Sequence, residues 1–153
     1  MDIVIIDQQV TLARLIQRES LFVHFFDDPL LGYEFIETSK PAIVFIGFDL
    51  LKNGTPRFIS YLYRLAPDDP IILSASQLDD DTILDCLAAG ARGYLEINEA
   101  ERFINKLICK VLNGEAWISR RLVAKLRRQL HHKTAAVNCL ASSDSNNRVH
   151  RHS

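Results

Sequence analysis

The sequence predicts an α/β fold: a parallel five-stranded sheet made of five strand–helix units, with helices on both faces and one extra C-terminal helix. Two observations carry the prediction. Short apolar runs bounded by turn residues alternate with stretches whose apolar residues recur at helical spacing. The alternation is strict, which selects a parallel sheet with right-handed crossovers. At 153 residues, 48% apolar and 24% charged, the chain has the size and composition of one soluble domain plus a tail.

The first strand is Ile3 to Ile6, ending at Asp7. Gln9 to Glu19 carries Leu12, Leu15 and Ile16 at helical spacing. Leu21 to Phe26 is β-branched and aromatic, a second strand. Asp28 then caps a helix with Pro29 at its first position, and Lys40-Pro41 stops it. Ala42 to Ile46 is a continuous apolar run suited to the middle of a parallel sheet. It meets Gly47 and a loop closed by Asn53-Gly54. Thr55-Pro56 opens a helix bearing Phe58, Ile59, Leu62 and Leu65. Ile71 to Leu73 is the fourth strand and leads into Ser74-Ala75-Ser76. Asp79 to Asp81 puts negative charge where the next helix starts, and that helix ends at Gly90. Gly93 to Leu95 is the fifth strand. Ala100 to Asn113 is strongly amphipathic through Phe103, Ile104, Leu107, Ile108, Val111 and Leu112, with Gly114 as its stop. Ser119 caps a further helix with Leu122, Val123, Leu126 and Leu130. The expected organisation is a sheet domain over residues 1–116, the extra helix over 117–132, and a polar tail or linker over 133–153.

Composition excludes several classes. No apolar run approaches the ~20 residues of a membrane span. The N-terminus carries Asp2 and Asp7 rather than the positive region of a signal peptide, so a cytoplasmic protein without membrane partners is expected. Cys86, Cys109 and Cys139 are odd in number and widely spaced, which fits neither a disulfide framework nor zinc. Cys86 and Cys109 fall on apolar helix faces and read as core. Charge is segregated: residues 1–115 hold 10 Lys/Arg against 18 Asp/Glu, net −8, and residues 116–153 hold 8 Lys/Arg against Asp144 alone, net +7. The basic segment reads equally as an anion-binding surface or a solvated helix face. There is no Gly-rich phosphate loop, nucleophile elbow or His–carboxylate spacing, so no enzyme, cofactor or resident metal is expected.

In an open α/β sheet the ligand site lies at the carboxyl ends of the strands. There the sequence offers Asp7-Gln8, Gly47, Asp49 and Ser74. Together with the run Ala89-Gly90-Ala91-Arg92-Gly93-Tyr94-Leu95, these loops resemble a response-regulator receiver domain, a flavodoxin-like fold. Asn113-Gly114-Glu115-Ala116-Trp117-Ile118-Ser119 is similar to the end of the receiver in the LuxR/NarL family of transcription regulators. The resemblance covers roughly residues 2–130 and implies two-component signalling through phosphoryl transfer to an Asp, with Mg²⁺ held by that Asp and an acidic pair.

The residues depart from that chemistry. The acidic pair reads Asp7-Gln8, the acceptor position falls on Gly47, and Ile97 stands where a lysine is expected; only the hydroxyl survives, as Ser74. The chain thus resembles a degenerate receiver, a pseudo-receiver that works without aspartyl phosphorylation. The alternative is a phospho-accepting receiver using Asp49 or Asp7 with Mg²⁺, which needs the loop shifted to bring Asp49 into the pocket. Otherwise Asp49 is a solvated loop carboxylate or a helix cap, and Asp7 is a residual carboxylate bonded to loop amides.

Two inputs could replace the phosphoryl group. Trp117-Ile118-Ser119-Arg120 is similar to the cyclic di-GMP-binding tetrapeptide of LuxR/NarL-type biofilm regulators, with Arg121 and Lys125 adding charge. An indole stacks on guanine, and an arginine fork grips a phosphate or a guanine edge. The same residues also suit a packed Trp and a capping Ser. The other input is dimerisation, through the mixed-charge set Asp85, Arg92, Tyr94, Glu99, Arg102 and Lys106. The resemblance further implies that DNA is reached only through a helix-turn-helix output domain, and none is visible after Lys133.

Overall fold

A computed structural model describes residues 1–131. It contains two compact units, the first running from Met1 to Ile118 and the second starting at Ser119.

In the first unit five strands form one parallel sheet: β1 (Asp2–Ile6), β2 (Phe22–Phe26), β3 (Ile43–Gly47), β4 (Ile71–Ala75) and β5 (Gly93–Glu96). The spatial order is β2-β1-β3-β4-β5. The apolar run of β1 is sorted by the two-residue period of a strand. Ile3 and Ile5 enter one core with Ile43, Phe45 and Ile72, whereas Val4 and Ile6 enter the opposite core with Val44, Ile46, Ile71 and Leu73. These side chains are almost wholly withdrawn from water, each worth about 1.5–3 kcal/mol of transfer free energy.

Helices cover both faces. α1 (Thr11–Leu15) and α6 (Ala100–Leu112) close the first core, through Leu12, Ile104, Leu107 and Ile108. α2 (Pro29–Thr38), α4 (Thr55–Leu65) and α5 (Asp80–Ala89) close the second, through Ile36, Ile59, Leu62 and Cys86. The caps follow the expected chemistry. Asp28 accepts from the Leu30 amide at 2.9 Å with Pro29 next in line, and Asp79 accepts from the Thr82 amide at 2.9 Å.

Four expectations change. The helix expected over Gln9 to Glu19 is only α1, because Ile16 turns extended (φ −89°, ψ 94°) and residues 17–20 have no apolar face to bury. The loop after β3 is a single turn of helix, α3 (Phe48–Leu51), followed by a 3₁₀ turn over Lys52–Gly54. Cys109 is exposed rather than core. It lies off the stripe formed by Ala100, Ile104, Leu107, Ile108 and Val111, as does Leu112 at the same helix end. The first unit also extends through Ile118 rather than stopping at 116, because Trp117 pairs with the edge of the sheet.

In the second unit residues 120–131 form helix α7. The Ser119 hydroxyl oxygen accepts from the Leu122 amide at 3.2 Å, the cap its sequence predicts. The tail expected over 133–153 lies outside the described residues.

Candidate functional site

The carboxyl ends of β1, β3 and β4 converge on a cavity of about 180 Å³ lined by Asp7, Gln9, Asp49, Ser74, Ser76 and Ile97, among others. Parallel pairing sets this up by placing Ile6 beside Ile46 and Gly47 beside Ser74. The residue after each strand therefore faces the same space.

Asp7 is a buried acidic residue on its wall, with 6% of its surface exposed. One carboxylate oxygen, Oδ1, accepts from the amides of Gln8 at 2.6 Å and Gln9 at 3.3 Å. Burial raises the Asp7 carboxyl above the usual carboxylate range, the two amide bonds pull it back in part, and the negative charge of Asp49 adds to the rise. The Asp7 carboxyl lies against Gly47: a Cβ on that glycine would collide with all three atoms of the carboxyl group. Position 47 thus lacks a side chain, and the volume that one would enter holds Asp7.

The other predicted residues sort around this carboxyl. Asp49 sits in the first turn of α3, exposed yet lining the cavity, so it reaches the pocket through a helical turn without any shift of β3. The Ser74 hydroxyl is buried and donates to the Ile46 carbonyl at 3.4 Å. Ile97 lines the wall from a 3₁₀ turn over Ile97–Glu99. Gln8 is exposed; its contribution is its backbone amide, while Gln9 and Thr11 line the cavity instead. Sequence reasoning missed both because a loop after a strand has no periodicity to show which side chain turns inward.

Mg²⁺, which the resemblance implies, fits this donor set poorly. Among the described residues no three His, Cys, Asp or Glu side chains come together as a metal-binding group. Asp7 commits an oxygen to two amides, and Ile97 contributes only hydrocarbon.

The second predicted site divides at the boundary between the units. Trp117 belongs to the first. Its amide donates to the Arg92 carbonyl at 3.2 Å, and its carbonyl accepts from the Tyr94 amide at 3.0 Å. The strand register closes over Gly93, where an added Cβ would strike the Trp117 backbone. The half-buried indole packs on the core beside Phe103, ring centroids 6.0 Å apart. Ser119, Arg120 and Arg121 belong to the second unit, all exposed at the start of α7. Of the mixed-charge set around β5, Tyr94 is half-buried; burial first, and Glu96 next, push its hydroxyl up to about 12.

No family model matches the sequence, and no curated protein does. Solved structures do. The isolated receiver (REC) domain of RcsB from Salmonella enterica serovar Typhimurium in the apo form is 16% identical, with a TM-score of 0.72 over 84% of this chain and 98% of that one. A LuxR-family two-component response regulator from Aurantimonas sp. SI85-9A1 is 16% identical, with a TM-score of 0.69 over 84% of this chain and 95% of that one. A CheY-like receiver domain protein from Methanospirillum hungatei JF-1 is 17% identical, with a TM-score of 0.66 over 74% of this chain and 94% of that one. The fold is therefore that of response-regulator receiver domains, LuxR-family ones among them.

Proposed function

We propose that the chain is a non-enzymatic regulatory pseudo-receiver of a LuxR/NarL-type transcription regulator, one that signals without aspartyl phosphorylation. The observation that carries this reading is the Asp7 carboxyl held in the space a side chain at position 47 would need. A receiver with an acceptor there must leave that space open for the acceptor's side chain. Here Asp7 takes it, and the cavity lining has Ile97 but, among the described residues, no Lys or Arg. Asp49 is left as a carboxylate with no counter-charge on the cavity wall, facing a second carboxylate that it already disfavours.

The test is exposure of the purified chain to acetyl phosphate or beryllofluoride with Mg²⁺. The expected result is no added mass, no change in Trp117 emission and no change in oligomeric state. A stable phosphoryl adduct lost in Asp49→Asn would favour phospho-acceptance at Asp49 instead.

The input would then be self-association, ligand binding or both. For a nucleotide the supporting observation is exposed Arg120 and Arg121 in the first turn of a helix capped by Ser119, following a half-exposed Trp117 in the chain. Calorimetric titration with cyclic di-GMP should give micromolar or tighter binding that Arg120→Ala abolishes. Absence of heat in a folded sample would leave Trp117 as a packing residue and self-association as the input.

A further inference from the structure

We propose that the groove between α2 and α4 is a self-association surface, filled by the same two helices of a second copy of this chain. The proposal deepens the self-association arm of the function above by naming the surface, and it moves that surface away from β5.

The helices on this face of the sheet are unevenly spaced. α4 packs along α5, whereas between α2 and α4 a groove of about 760 Å³ opens, walled by Leu30, Tyr33, Phe58, Tyr61 and Leu65. Its rim is apolar and in water: Leu30 is 65% exposed and Tyr61 47%. Scattered exposed apolar side chains are ordinary, but a run of them along one groove marks an interaction site.

Charge specifies the occupant. Within α2 the charged residues are Glu34 and Glu37, with Asp27 and Asp28 just before it. Within α4 they are Arg57 and Arg64, with Lys52 just before it. Arg64 lies over the Tyr61 ring, its guanidinium carbon 5.2 Å from the centroid, which keeps the cation at the groove rim. One apolar groove is thus flanked by an acidic helix and a basic helix. A two-fold axis over the groove sets α2 of each copy against α4 of the other and pairs acid with base on both sides. The opposite arrangement would set acid against acid and is disfavoured. A small amphipathic ligand would leave the acidic helix without a counterpart.

The test is sedimentation of the full chain over a concentration series. The expected result is a reversible dimer. Leu30→Glu should weaken it by at least about tenfold, as should Arg57→Glu with Arg64→Glu; adding Glu34→Arg and Glu37→Arg to the latter should restore it. All these positions are exposed, and circular dichroism checks that each variant folds. A dimer indifferent to every one of these changes but broken at Arg92 and Tyr94 would overturn this surface and keep self-association. A monomer throughout would overturn both. A monomer that binds decanoate, with binding lost in Leu30→Glu, would give the groove to a small amphipathic ligand and overturn the proposal.

Discussion

At the scale of single residues, the pocket turns on the contact between Asp7 and Gly47. Gly47→Ala inserts a methyl group into the Asp7 carboxyl, so it should destabilise the chain by about 1–3 kcal/mol in urea unfolding, the usual cost of overpacking. The same substitution on an Asp7→Ala background should cost much less, since the colliding group is gone; equal costs would mean the two sites do not couple. Titration gives a second prediction. Burial raises the Asp7 carboxyl from its ordinary value of 3.8, so the folded chain holds this proton more tightly than the unfolded chain. Stability from this group is therefore fully present below that value, falls as pH climbs to the raised one, and stays reduced above it. Asp7→Asn removes the titration while keeping a carbonyl oxygen for the two amides. The variant's stability relative to the parent should accordingly improve from about pH 3 to about pH 7, measured by denaturant unfolding at each pH. A constant difference would mean that Asp7 titrates normally. That positions 47 and 97 hold Gly and Ile was legible in the sequence, because an identity is read directly. The filling of the gap by Asp7 was not, since strand periodicity assigns a face and says nothing of which neighbour occupies an emptied volume.

At the scale of elements, the segment ending at Ile118 behaves as a short extra strand on β5. Trp117 bridges to Gly93 and exchanges backbone hydrogen bonds with Arg92 and Tyr94, which covers part of an edge that would otherwise present unpaired groups. Gly93 is needed because any Cβ there meets the Trp117 backbone. Gly93→Ala should therefore detach the segment. The chain has one tryptophan, so its emission reports on this segment alone. A shift to longer wavelength with far-ultraviolet dichroism unchanged is expected; unchanged emission would mean that the methyl group is accommodated without unpairing. The pairing was hidden in the sequence because Trp-Ile there reads as a packed pair before a helix or as a ligand platform, and neither reading calls for a strand. The helix caps at Asp28 and Ser119 were legible, since each rests on a local oxygen and a nearby amide, whereas at Asp79 the sequence showed the charge at the helix start and the structure adds the cap. The length of α1 was not legible: Leu12, Leu15 and Ile16 keep helical spacing even though the backbone leaves the helix at Ile16.

At the scale of the whole molecule, strict alternation of strand and helix was enough to read the layers, because parallel connections allow so few topologies. The place where the first unit ends was harder to see, since it depends on a contact between residues far apart in sequence. Every buried residue of the two main cores lies at or before Val111, and Trp117 is the last side chain packed against them. A chain cut after Ile118 should therefore keep the sheet-edge pairing, and a chain cut after Ala116 should lose it together with the indole. The shorter chain should be less stable by about 1–2 kcal/mol, below the 3–5 kcal/mol of a fully buried aromatic because Trp117 is only half-buried. Both truncated chains share the same charged residues, so electrostatics cancels in the comparison. Thermal unfolding of the pair decides the matter: a lower midpoint for the shorter chain makes Trp117 part of the first unit. Equal midpoints would return the boundary to residue 116, and Trp117 would then be free to serve a ligand without cost to the fold.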